Sequence, residues 1–216
     1  MNRVFLLSPA NCNGLRARRI LHPTARSDLA RRLRSREGAP LGEVFTFISA
    51  LYFRGKLAYA HAFARPPSNG TGTLIITPSA GLLPHDAMVR ISRLRGFRRV
   101  PIDITNKLYR YSLLRALRKL ADDIGPCCEV VLLGSIATRK YLDVLVSVFA
   151  DQLRVPAEFI GRGDMSRGAL LLRSVKENRE LDYLSAAILA NKTAKPRKRL
   201  TPSSCTAIET FAITSN

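Results

Sequence analysis

The stretch Gly161-Arg162-Gly163-Asp164-Met165-Ser166-Arg167-Gly168 is the most unusual in the chain. Gly161 and Gly163 permit a tight backbone path. Asp164 and Ser166 are residue types that cap a following helix. Arg162 and Arg167 carry guanidinium forks that match phosphate oxygens or a base edge. Two arrangements satisfy this composition. One is a capped turn closed by an Arg–Asp pair. The other holds a phosphate on backbone amides and the two arginines while Asp164 faces a substrate. Asp86 and Asp103 are the other carboxylates expected in loops at strand ends. A carboxylate in an apolar cleft can polarise water or stabilise a developing cation. Asn11 and Asn13 offer a donor and an acceptor side by side, as reading a base edge requires. The same Asn-Cys-Asn-Gly composition also makes an ordinary turn. Asp164, Asp103 and Asn11 are the expected reacting groups.

Other chemistries lack their residues. Cys127 and Cys128 are adjacent, without the spacer of a metal knuckle, and no His stands at ligand spacing nearby. No metal and no cofactor is expected. The four cysteines read as reduced thiols of a cytoplasmic protein. His22, His61 and His85 are scattered, no Ser/His/Asp spacing is recognisable, and no phosphate-binding loop of the nucleotide-hydrolase type is present.

Aromatic and basic residues interleave at Tyr52-Phe53-Arg54-Gly55-Lys56-Leu57-Ala58-Tyr59 and at Tyr109-Arg110-Tyr111. Stacking combined with phosphate neutralisation holds unpaired bases. The competing reading buries the rings and leaves only the cationic heads in water. That reading is preferred for Phe53 and Phe63, and both stay open for Tyr52 and Tyr109. Arg54, Lys56, Arg139, Lys140, Arg162 and Arg167 are the expected contacts to DNA phosphates.

The elements that would position these groups follow from periodicity. Arg3–Ser8, Thr73–Thr77 and Glu129–Leu133 read as buried strands bounded by Pro or Gly. Arg98–Ile104 and Pro156–Ile160 read as shorter strands, the first placing Asp103 at its end. Helices are expected over Glu43–Ala64, Asn106–Asp123, about Ala137–Ala150 and Met165–Val175. The second of these shows Leu108, Tyr111, Leu114, Leu117 and Leu120 as its apolar side. Ser27-Asp28 could cap a helical piece within the arginine-rich segment Leu15–Arg36. Leu181–Leu189 reads as a strand or a helix. Strands alternating with amphipathic helices predict a single compact α/β domain over residues 1–190, its sheet mixed or mostly parallel and flanked by helices. A disordered basic tail is expected over 191–216. In such sheets ligands bind at the carboxyl ends of the strands. The polar loops Ser8–Gly14, Thr77–Asp86 and Gly134–Lys140 are expected there. Ser8, Asn13, Tyr52, Ser79, Asp86, Ser135 and Ser166 are the expected substrate contacts.

Composition sets the partner class. The chain has 216 residues, with 35 Lys+Arg against 16 Asp+Glu and a formal charge of +19. Its 46% apolar content is that of a globular protein, which excludes a wholly disordered basic chain. No apolar run approaches the roughly 20 residues that cross a bilayer. The apolar stretch Val4–Leu7 is shorter than a signal-peptide core. No membrane is expected, and the location is expected to be cytoplasmic and nucleoid-associated. A charge this large calls for a polyanion such as nucleic acid.

At this point the motifs resemble a known family. A strand ends in Leu7-Ser8-Pro9-Ala10, and a Tyr/Phe/Lys-rich helix covers Leu51–Ala60. A strand-turn follows over Ile76–Pro84, then Val130–Tyr141 and Arg162-Gly163-Asp164-Met165-Ser166-Arg167. This order resembles the YaaA family of peroxide-stress proteins, over short islands within residues 3–175. That family shows Ser-Pro-Ala-Lys after its first strand and a late Arg-Gly-x-Met-Ser-Arg. This chain carries Asn11 where the family has Lys. The resemblance implies a compact α/β fold that binds DNA. Glu129–Ala137 is also similar to the strand–Gly–x–x–Ala turn of uracil-DNA glycosylase-type proteins.

Together these readings predict a metal-independent DNA glycosylase. It would take a damaged or modified base, from the cell's own DNA or an invader's, out of a duplex or single strand and hydrolyse its N-glycosidic bond. The alternatives are a non-catalytic DNA-binding stress protein of the YaaA type and an RNA-binding accessory module.

Overall fold

A computed structural model describes residues 1–68, 70–135 and 141–188. In chain order, β1 (Arg3–Leu7) is followed by α1 (Leu15–Leu21), α2 (Asp28–Arg34) and β2 (Ala39–Pro40). Next come α3 (Leu41–Phe63), β3 (Thr73–Thr77), β4 (Gly81–Pro84), β5 (Met88–Val89) and α4 (Ile91–Arg99). The chain continues through α5 (Lys107–Ile124), β6 (Glu129–Leu133), α6 (Leu142–Phe149), β7 (Leu153–Pro156), α7 (Asp164–Lys176) and β8 (Tyr183–Ser185).

Six strands form one sheet in the order β4-β3-β1-β6-β7-β8. The four inner strands are parallel, and β4 and β8 are antiparallel edges. β3, and β1 and β6 after their first residues Arg3 and Glu129, are unbroken apolar or β-branched runs because both faces of the sheet are covered. Phe5, Leu7, Ile75, Val131 and Leu133 pack on one face with residues of α1, α2, α3, α4 and α7. Val4, Leu6, Leu74, Ile76, Val130 and Leu132 pack on the other with α5 and α6. The expected α/β fold, with its mostly parallel sheet between helices, is the one observed.

Local chemistry sets several ends. The Ser27 side chain accepts from the Ala30 N–H and starts α2. Asn106 does the same for α5 through the Tyr109 N–H. Gly125, at φ 68°, closes α5 in a conformation that other residues rarely adopt.

Other expectations are corrected. Arg98–Ile104 is not a strand: α4 runs to Arg99 on the buried anchors Leu94 and Phe97, and an irregular turn follows through Pro101. The loop expected over Thr77–Asp86 contains β4. Gly81, at φ 66°, turns the chain back so that Thr77 pairs with Gly81. The Thr77 hydroxyl donates to the Gly81 carbonyl and accepts from the Ala80 N–H. The strand expected over Pro156–Ile160 lies earlier, at Leu153–Pro156, and residues 157–159 make one tight helical turn. Helix α5 is rotated from its expected orientation. Its buried stripe is Tyr109, Leu113, Leu117 and Leu120, while Leu108 and Tyr111 face outward. Within the Leu181–Leu189 segment, Tyr183–Ser185 forms a strand. The expected tail over 191–216 and the residues Arg139 and Lys140 lie outside the described residues.

Candidate functional site

The chain leaves β1 toward β3 on one side, then returns to place β6 on the other. The carboxyl ends of β1 and β6 therefore release their loops in opposite directions, which opens a crevice at the sheet's switch point. A cavity of about 550 Å³ occupies it. Ser8 to Asn13 form the wall from β1, Ser135 the wall from β6, and Pro78 the contribution of β3. Ser49, Tyr52 and Lys56 come from α3, Phe97 from α4, and Asp103 from the turn after it. Tyr141 and Asp164 complete the lining.

Lys56 forms the floor. It is only 1% exposed. Its ammonium donates to the Ser8 carbonyl at 2.6 Å and to Ser8 Oγ at 2.9 Å. The rings of Tyr52 and Phe53 lie 4.5 and 4.7 Å from Nζ. Burial pulls the Lys56 ammonium down to about 7, against the opposing field of Asp164. The Tyr141 hydroxyl stands beside Ser8 across Gly134 and accepts from the Ser135 N–H at 2.9 Å. Burial raises the Tyr141 phenol, and the bonds to Ser8 and Ser135 partly offset this. Gly134 makes the approach possible. A Cβ there would stand 2.8 Å from the Tyr141 hydroxyl oxygen and 2.9 Å from Ser8 Cβ. Cys12 also lines the cavity, but burial pushes its thiol up to about 12, with Arg98 opposing, so it is not a thiolate nucleophile.

The rim is more polar. Asp164, at the first turn of α7, faces solvent and pairs with Arg167 at 3.5 Å. The Asn11 side chain accepts from the Asn13 N–H. Arg98 donates to the Asn13 side chain, and Arg18 to its backbone carbonyl. These contacts set two guanidiniums against Asn13, itself a lining residue. The Asp103 side chain accepts from the Thr105 N–H and hydroxyl.

Of the expected site residues, Ser8, Asn11, Asn13, Tyr52, Lys56, Asp103, Ser135 and Asp164 thus share one cavity. Others do not line it. Ser79 sits in the β3–β4 turn, and Asp86 is exposed just after β4, near His61. Ser166 accepts from Arg162 on the exposed start of α7. Two of the expected phosphate contacts are corrected. Lys56 is buried beneath Ser8. Arg167 is 5% exposed and spends its guanidinium on the Phe159 carbonyl. Arg54 and Arg162 are exposed, as phosphate contact requires.

Tyr141 was not singled out by sequence reasoning, and no local pattern marks it. Lys56 carried a signal. It follows Tyr52 and Phe53 by four and three residues and precedes Tyr59 by three, so it shares their buried face. Among the described residues no group of three or more His, Cys, Asp or Glu is placed to hold a metal ion, and no helix is long and apolar enough to cross a membrane. No protein-family model, curated protein or solved structure matches the chain.

Proposed function

We propose that this chain is a DNA-binding enzyme that draws one base into the β1/β6 cavity and hydrolyses its N-glycosidic bond. The observation that carries this reading is the joining of Asp164, Asp103 and Asn11 in one cavity of nucleoside-accommodating size, with Arg18 and Arg98 bonded to the lining residue Asn13. Cleaving a glycosidic bond builds positive charge on the sugar. In this reading the Asp164 carboxylate at the rim stabilises that charge and orients the attacking water. The Asn11 amide, whose Nδ2 has no partner among the described residues, contacts a base edge, while Asn13 is tied to Arg98. The net charge of +19 supplies attraction to the phosphate backbone. The resemblance of the Arg162–Arg167 motif to the YaaA family agrees with DNA as the partner.

The test is incubation with duplexes and single strands that carry damaged or modified bases, followed by alkali to reveal abasic sites. Strand breaks at the modified position are expected, and Asp164→Asn is expected to abolish them with binding retained. Tight DNA binding without abasic sites on any substrate would overturn the glycosidic reading and leave the binding-only alternative.

A further inference from the structure

The structure assigns a serine nucleophile to this cavity: Ser8 Oγ, with Lys56 as its general base and Tyr141 as the group that orients it, forming a centre for acyl transfer on an ester or amide carbonyl. The inference shares the cavity with the glycosidic reading but does not depend on it.

The geometry is that of a nucleophile with a base behind it. Ser8 follows β1 directly and its position is set by the sheet, with its N–H donated to the Leu133 carbonyl. Lys56 Nζ lies 2.9 Å from Ser8 Oγ, within the distance for proton transfer. Lys56 is packed between the α3 aromatics and Ser8, and its amine stands behind the serine at the floor of the cavity. Its surroundings tolerate both protonation states. Burial favours the neutral amine, which can accept the Oγ proton. The faces of Tyr52 and Phe53 and the field of Asp164 then steady the ammonium that results. Arg167, beside Tyr52 and Tyr141, is occupied by Phe159 and Asp164. Cys12, the other nucleophile type in the lining, is held as a thiol. Tyr141, pinned by Ser135, is the hydroxyl next to Ser8 that can also face oxygen charge on an attacked carbonyl.

The reaction balances on these residues and water. Lys56 takes the proton from Ser8 as Oγ bonds to the carbonyl carbon. The bond to the leaving alcohol or amine breaks, and that group takes the proton from Lys56. Water then attacks the acyl-serine and gives a proton to Lys56. Ser8 leaves and recovers it, and the carboxylic acid is released.

A fluorophosphonate probe tests the nucleophile on the intact chain without DNA, since Ser8 would bond to phosphorus as fluoride departs. One label per chain is expected, mapped to Ser8 by peptide mass spectrometry and absent from Ser8→Ala. The labelling rate is expected to rise about tenfold per pH unit below a midpoint near 7 and to level off above it. Lys56→Met should slow labelling by about a hundredfold or more, and Tyr141→Phe by less. Should Lys56→Met fail to fold, Ser8→Ala and the pH profile carry the test. No label, a label elsewhere, or a rate flat across the midpoint would overturn the assignment. Because the probe reads the serine alone, a negative result here leaves the abasic-site test standing, and the converse holds.

Discussion

Gly55 and Gly168 touch where α3 crosses α7. A Cβ on Gly55 would stand 2.7 Å from the Gly168 carbonyl oxygen, and one on Gly168 would stand 2.8 Å from Tyr52 Cα. Both obstacles are backbone atoms, which cannot swing aside as a side chain can. This close approach brings the start of α7, with Asp164 and Arg167, up to Tyr52 and Lys56 on α3. The two glycines thus assemble the cavity from elements more than a hundred residues apart in sequence.

Gly168→Ala is therefore expected to destabilise the fold and to displace Asp164 from the cavity. Overpacking of this kind costs about 1–3 kcal/mol. Urea denaturation should show the lower midpoint with an unchanged slope. A midpoint equal to that of the unaltered chain would show that α3 and α7 do not meet this closely.

Ala50 breaks α3 with φ 48° and ψ −121°, a conformation suited to glycine. The break falls between Ser49 and Tyr52, which both line the cavity. Ala50→Gly should relieve part of this strain and raise stability by about 1 kcal/mol. A fall in stability would place the residue in ordinary helical geometry.

Buried and exposed cations should separate in DNA-binding measurements. Each phosphate contact adds about 0.9 to the slope of log affinity against log salt. Arg54 and Arg162 are exposed, so replacing either with Ala should reduce the slope by about that amount if it meets a phosphate. Lys56 lies beneath Ser8, and Lys56→Met should leave the slope unchanged. Fluorescence anisotropy over a salt series makes the comparison, and a reduced slope in Lys56→Met would return Lys56 to the surface.

What was legible in the sequence follows the range of the interactions involved. β1, β3 and β6 are central strands buried on both faces, so their own residues announce them. A site at the carboxyl ends of these strands followed from them and the loops after them, but its place between β1 and β6 depends on the strand order. β4 was hidden because Gly81-Leu82-Leu83-Pro84 has little strand character of its own and depends on pairing with β3. The face of α5 was misread because Leu108 and Tyr109 are adjacent and both apolar, and only the sheet decides which one it buries. Lys56 was read by its charge, whereas its aromatic neighbours at helical spacing set its burial. Gly55 and Gly168 stood in plain view, but their meeting is a tertiary fact that neither local stretch contains.

In the unfolded chain the Lys56 amine holds its proton up to the ordinary value of 10.5, while in the folded protein burial brings it down to about 7. Between these values the unfolded state binds more protons than the folded one, so stability rises with pH. The slope is at most about 1.4 kcal/mol per pH unit for one group. Below the folded value both states are protonated, and the cost of burying the cation is present in full. The groups facing Lys56 are Ser8, Tyr52, Phe53 and Asp164, with Tyr141 and Arg167 beside Tyr52. Burial holds the Tyr52 and Tyr141 phenols and the Cys12 thiol above their ordinary values, so each opposes the trend once its unfolded form ionises, from pH 9.0 upward for the thiol. The clear window therefore runs from about pH 7 to pH 9. Urea midpoints measured across it should climb for the unaltered chain and stay nearly level for Lys56→Met, whose side chain fills similar space without a proton to lose. Parallel curves for the two proteins would mean that Lys56 keeps its charge in the folded state, and a permanently charged Lys56 could not serve as the base for Ser8.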